Sequence, residues 1–124
     1  MSGNRYLLDT NIVIAALNDQ LVFPAAEYYV SVITEIELLS FHSLSKADEL
    51  QIKCFLRDVH IVELTTKIKE QTIALRRDKR LKLPDAIICA SAIINEAKLV
   101  TEDVRLHNGV VEKVITLNNF LRGV

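Results

Sequence analysis

Short apolar runs separated by amphipathic stretches set the rhythm of this chain. RYLLD, from Arg5, predicts a buried strand, and NIVIAALND behind it predicts a helix that Thr10 or Asn11 could cap and that stops at the polar stretch Asn18 to Gln20. EYYVSVI, from Glu27 to Ile33, is rich in Tyr and Val and predicts a second strand. TEIELLSFHSL and SKADELQIKCFLRDV predict two helices joined near Ser43 to Ser45. HIVEL predicts a third strand, followed by one helix over 66–77 and another over 84–96, the latter opened by Pro84. KLVT and KVITL add two more short strands. Five strands alternating with helices predict a doubly wound, three-layer α/β/α sandwich around a mainly parallel sheet. With no repeat, low-complexity tract or long linker, residues 1–124 are expected to form one domain.

Composition agrees with that picture and removes some classes. The chain is 50% hydrophobic and 25% charged, as expected of a compact soluble protein. Its opening MSGNR carries one positive charge, but the apolar run behind it breaks at Asp9. Neither a signal peptide nor a membrane span is expected, and the location expected is the cytoplasm. Cys54 and Cys89 lack metal-ligand spacing and lie in helix-like apolar surroundings, so they are expected as reduced packing residues.

Asp9 is the residue that this frame leaves unexplained. It ends the first strand, and an ionised acid there is costly unless something pairs with it. In doubly wound folds, ligands sit beyond the carboxyl ends of the strands, where strand order reverses. Three other positions border a strand end or a helix start: Glu37 after the second strand, Asp85 behind Pro84, and Asp103 past KLVT. Each close pair of carboxylates would repel by about 4 kcal/mol at ~4 Å and an effective dielectric near 20, against a domain stability of roughly 5–15 kcal/mol. Four converging acids therefore need a cation, and all-oxygen ligands suit Mg²⁺ or Mn²⁺. Helical spacing does not choose between Glu35 and Glu37, which lie about 160° apart with apolar neighbours on both sides.

In order along the chain, these residues resemble the pattern of PIN-domain nucleases, especially the small VapC-type toxins of prokaryotic toxin–antitoxin pairs. The L-D-T-N run is Leu8-Asp9-Thr10-Asn11. The V-S-x-x-T-x-x-E-L run is Val30 to Leu38, which puts the family's second acid on Glu37. L-P-D-A is Leu83 to Ala86, with IICASA behind it, and L-V-T-x-D is Leu99 to Asp103. Where such sequences commonly continue with a further acid and an aromatic, this chain has Val104, Arg105 and Leu106, and Glu102 is the nearest rival to Asp103. The resemblance implies a metal-dependent endoribonuclease in which Asp9, Asp85, Glu37 and Asp103 hold Mg²⁺ or Mn²⁺. It gives Thr10, Asn11 and Thr101 a supporting role. It further implies a homodimer inhibited by a small antitoxin that reaches into the acidic pocket, sometimes with an arginine. The apolar helix of residues 33 to 41 is compatible with a buried interface and equally with an ordinary core.

Charge enters last. The net charge is −1, but with the four pocket acids set aside 15 basic residues face 12 acidic ones. The run RRDKRLK places Arg76, Arg77, Lys79, Arg80 and Lys82 just before Asp85, where they could grip an RNA backbone. His42, His60 and His107 lie outside every motif and are expected as surface or packing residues. A haloacid-dehalogenase-type phosphohydrolase would need an acid at position 11, which is Asn11. A non-catalytic PIN-like module that only binds RNA or a protein partner is the remaining alternative.

Overall fold

In the computed structural model, residues 4–123 are described. Met1 to Gly3, part of the opening stretch read above as neither leader nor anchor, and Val124 lie outside them. The element order is β1 (Arg5–Leu8), α1 (Thr10–Asp19), β2 (Glu27–Ser31), α2 (Val32–Leu39), α3 (Lys46–Arg57), β3 (His60–Val62), α4 (Thr66–Lys79), α5 (Leu83–Ile94), β4 (Lys98–Val100), β5 (Val114–Ile115) and α6 (Leu117–Leu121). A short 3-10 helix, Val104–Leu106, follows β4. The five strands form one sheet in the order β3-β2-β1-β4-β5, and every pairing is parallel. Strand order therefore reverses between β1 and β4.

Successive residues of a strand face opposite sides of the sheet. Leu7 and Leu99 enter one core with Ile68 and Leu75 of α4 and the buried face of α5, while Leu8 and Val100 enter the other with Ile12, Leu38, Ile52 and Phe120. Helices thus cover both faces, as the alternating pattern predicted. Every residue of α5 from Ala86 to Ala92 is buried. Its small side chains let it lie close to the sheet, and the Ser91 hydroxyl is satisfied by the Ile87 carbonyl at 2.7 Å. Among the described residues, no helix is long and apolar enough to cross a membrane.

Several boundaries differ from expectation for one reason: strand ends double as helix caps. Asp9 itself, rather than Thr10 or Asn11, caps α1, accepting the Thr10 N–H at 2.8 Å. Ser31 likewise ends β2 and accepts the Ile33 N–H at 3.0 Å, so Val32 and Ile33 turn into α2 instead of prolonging the strand. Their branched side chains suit a strand, but the hydroxyl cap decides. Thr116 does the same at the other end of the chain, accepting from the Asn119 N–H and converting the tail of KVITL into α6, an element the pattern did not suggest. Both cysteines are free, Cys89 buried and Cys54 partly so. Ile36 and Phe41, expected within an apolar helix, are exposed to solvent.

Candidate active site

Asp9 sits where β1 and β4 diverge, its N–H completing the ladder to the Val100 carbonyl at 3.0 Å. It is buried, with 7% of its surface exposed. Its carboxylate accepts from three donors, the Thr10 N–H at 2.8 Å on Oδ1 and the Thr101 hydroxyl at 2.6 Å and the Asn11 amide at 3.2 Å on Oδ2. Burial nevertheless pushes its pKa up; the Thr101 and Thr10 hydrogen bonds oppose that rise, and the charges of Glu37 and Asp103 add to it.

The other acids arrive from separate elements. Asp85, in the first turn of α5, also has its pKa raised, first by burial and then by Asp103 and Asp9, with Arg105 and Lys82 acting in the opposite sense. Asp103 follows β4 and caps the 3-10 helix; the Arg105 hydrogen bonds hold its carboxyl below the usual range. Glu37 faces the pocket from α2, where its Oε1 accepts from the Thr10 hydroxyl at 2.6 Å. Since Thr10 spends its one hydroxyl proton on Glu37, the buried Thr34 hydroxyl, 2.9 Å away, donates to Thr10. The sheet edge thus gathers Glu37, Asp85 and Asp103 around Asp9, each near enough for its charge and that of Asp9 to interact.

Two ambiguities in the sequence have geometric counterparts. Glu35 lies on the far side of α2, lining a groove with Leu50, Lys53 and Arg57 of α3. Glu102 points away from the pocket and accepts the Leu117 N–H at the start of α6, at 2.6 Å. Thr101, completely buried, donates to Asp9, accepts the Asp103 N–H at 3.0 Å and lies 3.5 Å from the Asn11 amide. Asn11 also accepts the Glu102 N–H at 3.3 Å, clipping the loop after β4 to the start of α1.

The expectation that the four acids close on a common point is not met in this arrangement. Among the described residues, no three acid, histidine or cysteine side chains stand close enough together to hold a metal ion. Arg105 stands between two of them: its Nη2 lies 2.5 Å from Asp103 Oδ2 and 3.4 Å from Asp85 Oδ2, and its Nε lies 3.0 Å from Asp103 Oδ1. The donors still suit a hard cation. They are all oxygens, and four carboxylates facing one bridging guanidinium retain an excess of negative charge that a divalent ion would offset.

Sequence reasoning gave no role to Arg105, Thr34 or His107. The His107 ring donates from Nε2 to the Thr101 carbonyl at 2.9 Å. It borders the site instead of lying apart from it, a placement that spacing could not reveal because the 3-10 helix folds it back. The basic run is exposed at Arg76, Arg77, Lys79, Arg80 and Lys82, and Lys82 is the residue at which α5 begins. Four of the aromatic side chains, Tyr6, Phe23, Tyr28 and Phe120, pack against one another with ring centroids 5.0–6.0 Å apart.

Comparison with known proteins gives the fold and site a family. Comparison with curated proteins finds no match. Among solved structures, a chain of a toxin–antitoxin complex from Klebsiella pneumoniae is 30% identical, with a TM-score of 0.75 over 90% of this chain and 96% of that one. A chain of VapBC2 from Rickettsia felis, bound to a DNA fragment from its promoter, is 20% identical, with a TM-score of 0.76 over 90% and 98% of the two chains. A chain of VapBC-1 from nontypeable Haemophilus influenzae is 21% identical, with a TM-score of 0.70 over 90% and 96%. The family model of the PIN domain matches residues 6–109, and the chain belongs to the PIN-domain family.

Proposed function

We propose that this protein is a metal-dependent endoribonuclease, the VapC-type toxin of a toxin–antitoxin pair. The observation that carries the reading is Asp9: a buried carboxylate held by three donors at the point where strand order reverses, in electrostatic contact with Glu37, Asp85 and Asp103. Asp9, Asp85, Glu37 and Asp103 would hold Mg²⁺ or Mn²⁺. When bound, such an ion supplies a water of lowered pKa and neutralises charge on a phosphate.

The chain's own residues prepare that chemistry. Thr101 and the Thr10 N–H fix the orientation of Asp9, and the Thr34–Thr10 relay fixes that of Glu37. Asn11 ties the Asp103 loop to the same frame. Arg76, Arg77, Lys79, Arg80 and Lys82 would bind RNA phosphates beside Asp85. The likeness to chains of toxin–antitoxin complexes supports a small antitoxin as partner. A homodimer, a cytoplasmic location and a single nuclease domain over 1–124 belong to the same proposal. The Arg105 bridge favours one second reading, a non-catalytic PIN-like module that binds RNA or protein without cutting. Incubating RNA with wild type and Asp9→Asn, with Mg²⁺ and with EDTA, separates the two. Cleavage by wild type alone, abolished by EDTA while Asp9→Asn stays folded, supports the nuclease; metal binding without cleavage of any RNA sinks it.

A further inference from the structure

We propose that Arg105 is a tethered counter-ion: it bridges the acid pocket and competes with a divalent ion for the Asp103 and Asp85 carboxylates, so that this side chain sets the metal affinity of the site. The inference rests on the metal-dependent reading above. Its geometric basis is the fork itself. Asp103 receives three donors from Arg105, the backbone N–H at 3.0 Å, Nε at 3.0 Å and Nη2 at 2.5 Å, and the same Nη2 reaches across to Asp85 on α5 at 3.4 Å. A single guanidinium thus joins an acid of α5 to the acid that caps the 3-10 helix.

The chemistry of the two cations sets them in competition. A guanidinium is a planar array of donors with no coordinating capacity, whereas Mg²⁺ requires carboxylate and water oxygens in a near-octahedral shell at about 2.0–2.1 Å. Arg105 engages both oxygens of Asp103 and one of Asp85, so these acids turn more readily toward a metal once the side chain leaves. Nothing locks the side chain there: it is 57% exposed, its ion pairs are open to screening by solvent, and it follows Asp103 on a one-turn 3-10 helix. Metal binding is then a competition, and the apparent affinity is reduced by the fraction of molecules in which Arg105 still occupies the pocket.

Titration of Mn²⁺ into wild type, Arg105→Gln and Arg105→Lys, with free Mn²⁺ followed by electron paramagnetic resonance and folding checked by circular dichroism, reads this without any RNA. Arg105→Gln is expected to bind Mn²⁺ about tenfold more tightly than wild type, with Arg105→Lys between them because it keeps one charge but loses the fork. Equal or weaker binding by Arg105→Gln overturns the role of Arg105 and leaves the metal site standing. Mn²⁺ bound by neither wild type nor Arg105→Gln overturns the metal-dependent reading and the tethered cation with it.

Discussion

Thr101 and Asp9 lie 92 residues apart in sequence and meet hydroxyl to carboxylate at 2.6 Å, joining the ends of β4 and β1 where the sheet changes direction. Thr101 is completely buried and also accepts the Asp103 N–H at 3.0 Å. Thr101→Val keeps the shape but removes both bonds, leaving the buried Asp9 carboxylate and the half-buried Asp103 N–H each short of a partner. We expect it to lower stability by about 1–3 kcal/mol. Urea denaturation in EDTA measures this, and Thr101→Ser should recover most of the loss. A valine variant as stable as wild type would show that the hydroxyl contributes nothing to the frame.

Asp9 stores a cost that metal would relieve. Its pKa is raised by burial, so the folded state binds that proton more tightly than the unfolded chain. The group's contribution to stability is therefore greatest at low pH and declines as pH rises from the ordinary carboxylate value, 3.8, through the raised one. At neutral pH the ionised side chain weakens the metal-free fold. Asparagine is as good an N-cap as aspartate when its one oxygen takes the place of Oδ1, and its amide, in the place of Oδ2, can donate to the Thr101 hydroxyl. In EDTA at pH 7, Asp9→Asn should melt at or above the wild-type temperature while RNA cleavage is lost. A melting point well below wild type would contradict the cost assigned to this carboxylate.

Glu35 and Glu37 offer an internal control, being two residues apart on α2 and facing different surroundings. Glu37 is held by Thr10 beside the acids, and Glu35 lines the groove against α3. Glu37→Gln should reduce RNA cleavage about 10- to 100-fold, the range for groups that support a metal site, and Glu35→Gln should leave it near wild type. Cleavage assays at saturating Mg²⁺ compare the two directly. Equal losses would mean that α2 is read wrongly.

The layers of the fold and the edge that carries the acids were legible because both follow from local pattern. RYLL and KLV are short and apolar, as strands covered on both faces must be, and Asp9 and Asp103 fall just past them. Element boundaries were less legible, since a single hydroxyl at Ser31 or Thr116 outweighs the branched residues that follow it. Choosing Glu37 over Glu35 and Asp103 over Glu102 needed family resemblance in the sequence; in three dimensions, hydrogen bonds from Thr10 and Leu117 separate each pair. Arg105 had no local signature. It differs from any exposed arginine only because a one-turn helix brings it between Asp103 and Asp85, a relation that pattern and spacing do not encode.

The basic run makes a graded prediction about RNA. Arg76 has a local partner, donating from Nε to the Leu81 carbonyl at 3.4 Å, and so stiffens the turn between α4 and α5. Lys82 begins α5 without any side-chain cap bond, and its charge is felt at Asp85. A strand of RNA passing the acids should therefore depend more on Lys82 and Arg80 than on Arg76. The affinity of single-stranded RNA is expected to fall with salt, and each phosphate contact removed should lower the slope of log affinity against log salt by about 0.7. Using the Asp9→Asn background to keep the RNA intact, Lys82→Gln and Arg80→Gln should each flatten the slope by roughly that amount, and Arg76→Gln by less. Fluorescence anisotropy across a salt series measures all three. Unchanged slopes for Lys82→Gln and Arg80→Gln would make the run an ordinary solvated face and move the search for the RNA path elsewhere on the acidic edge.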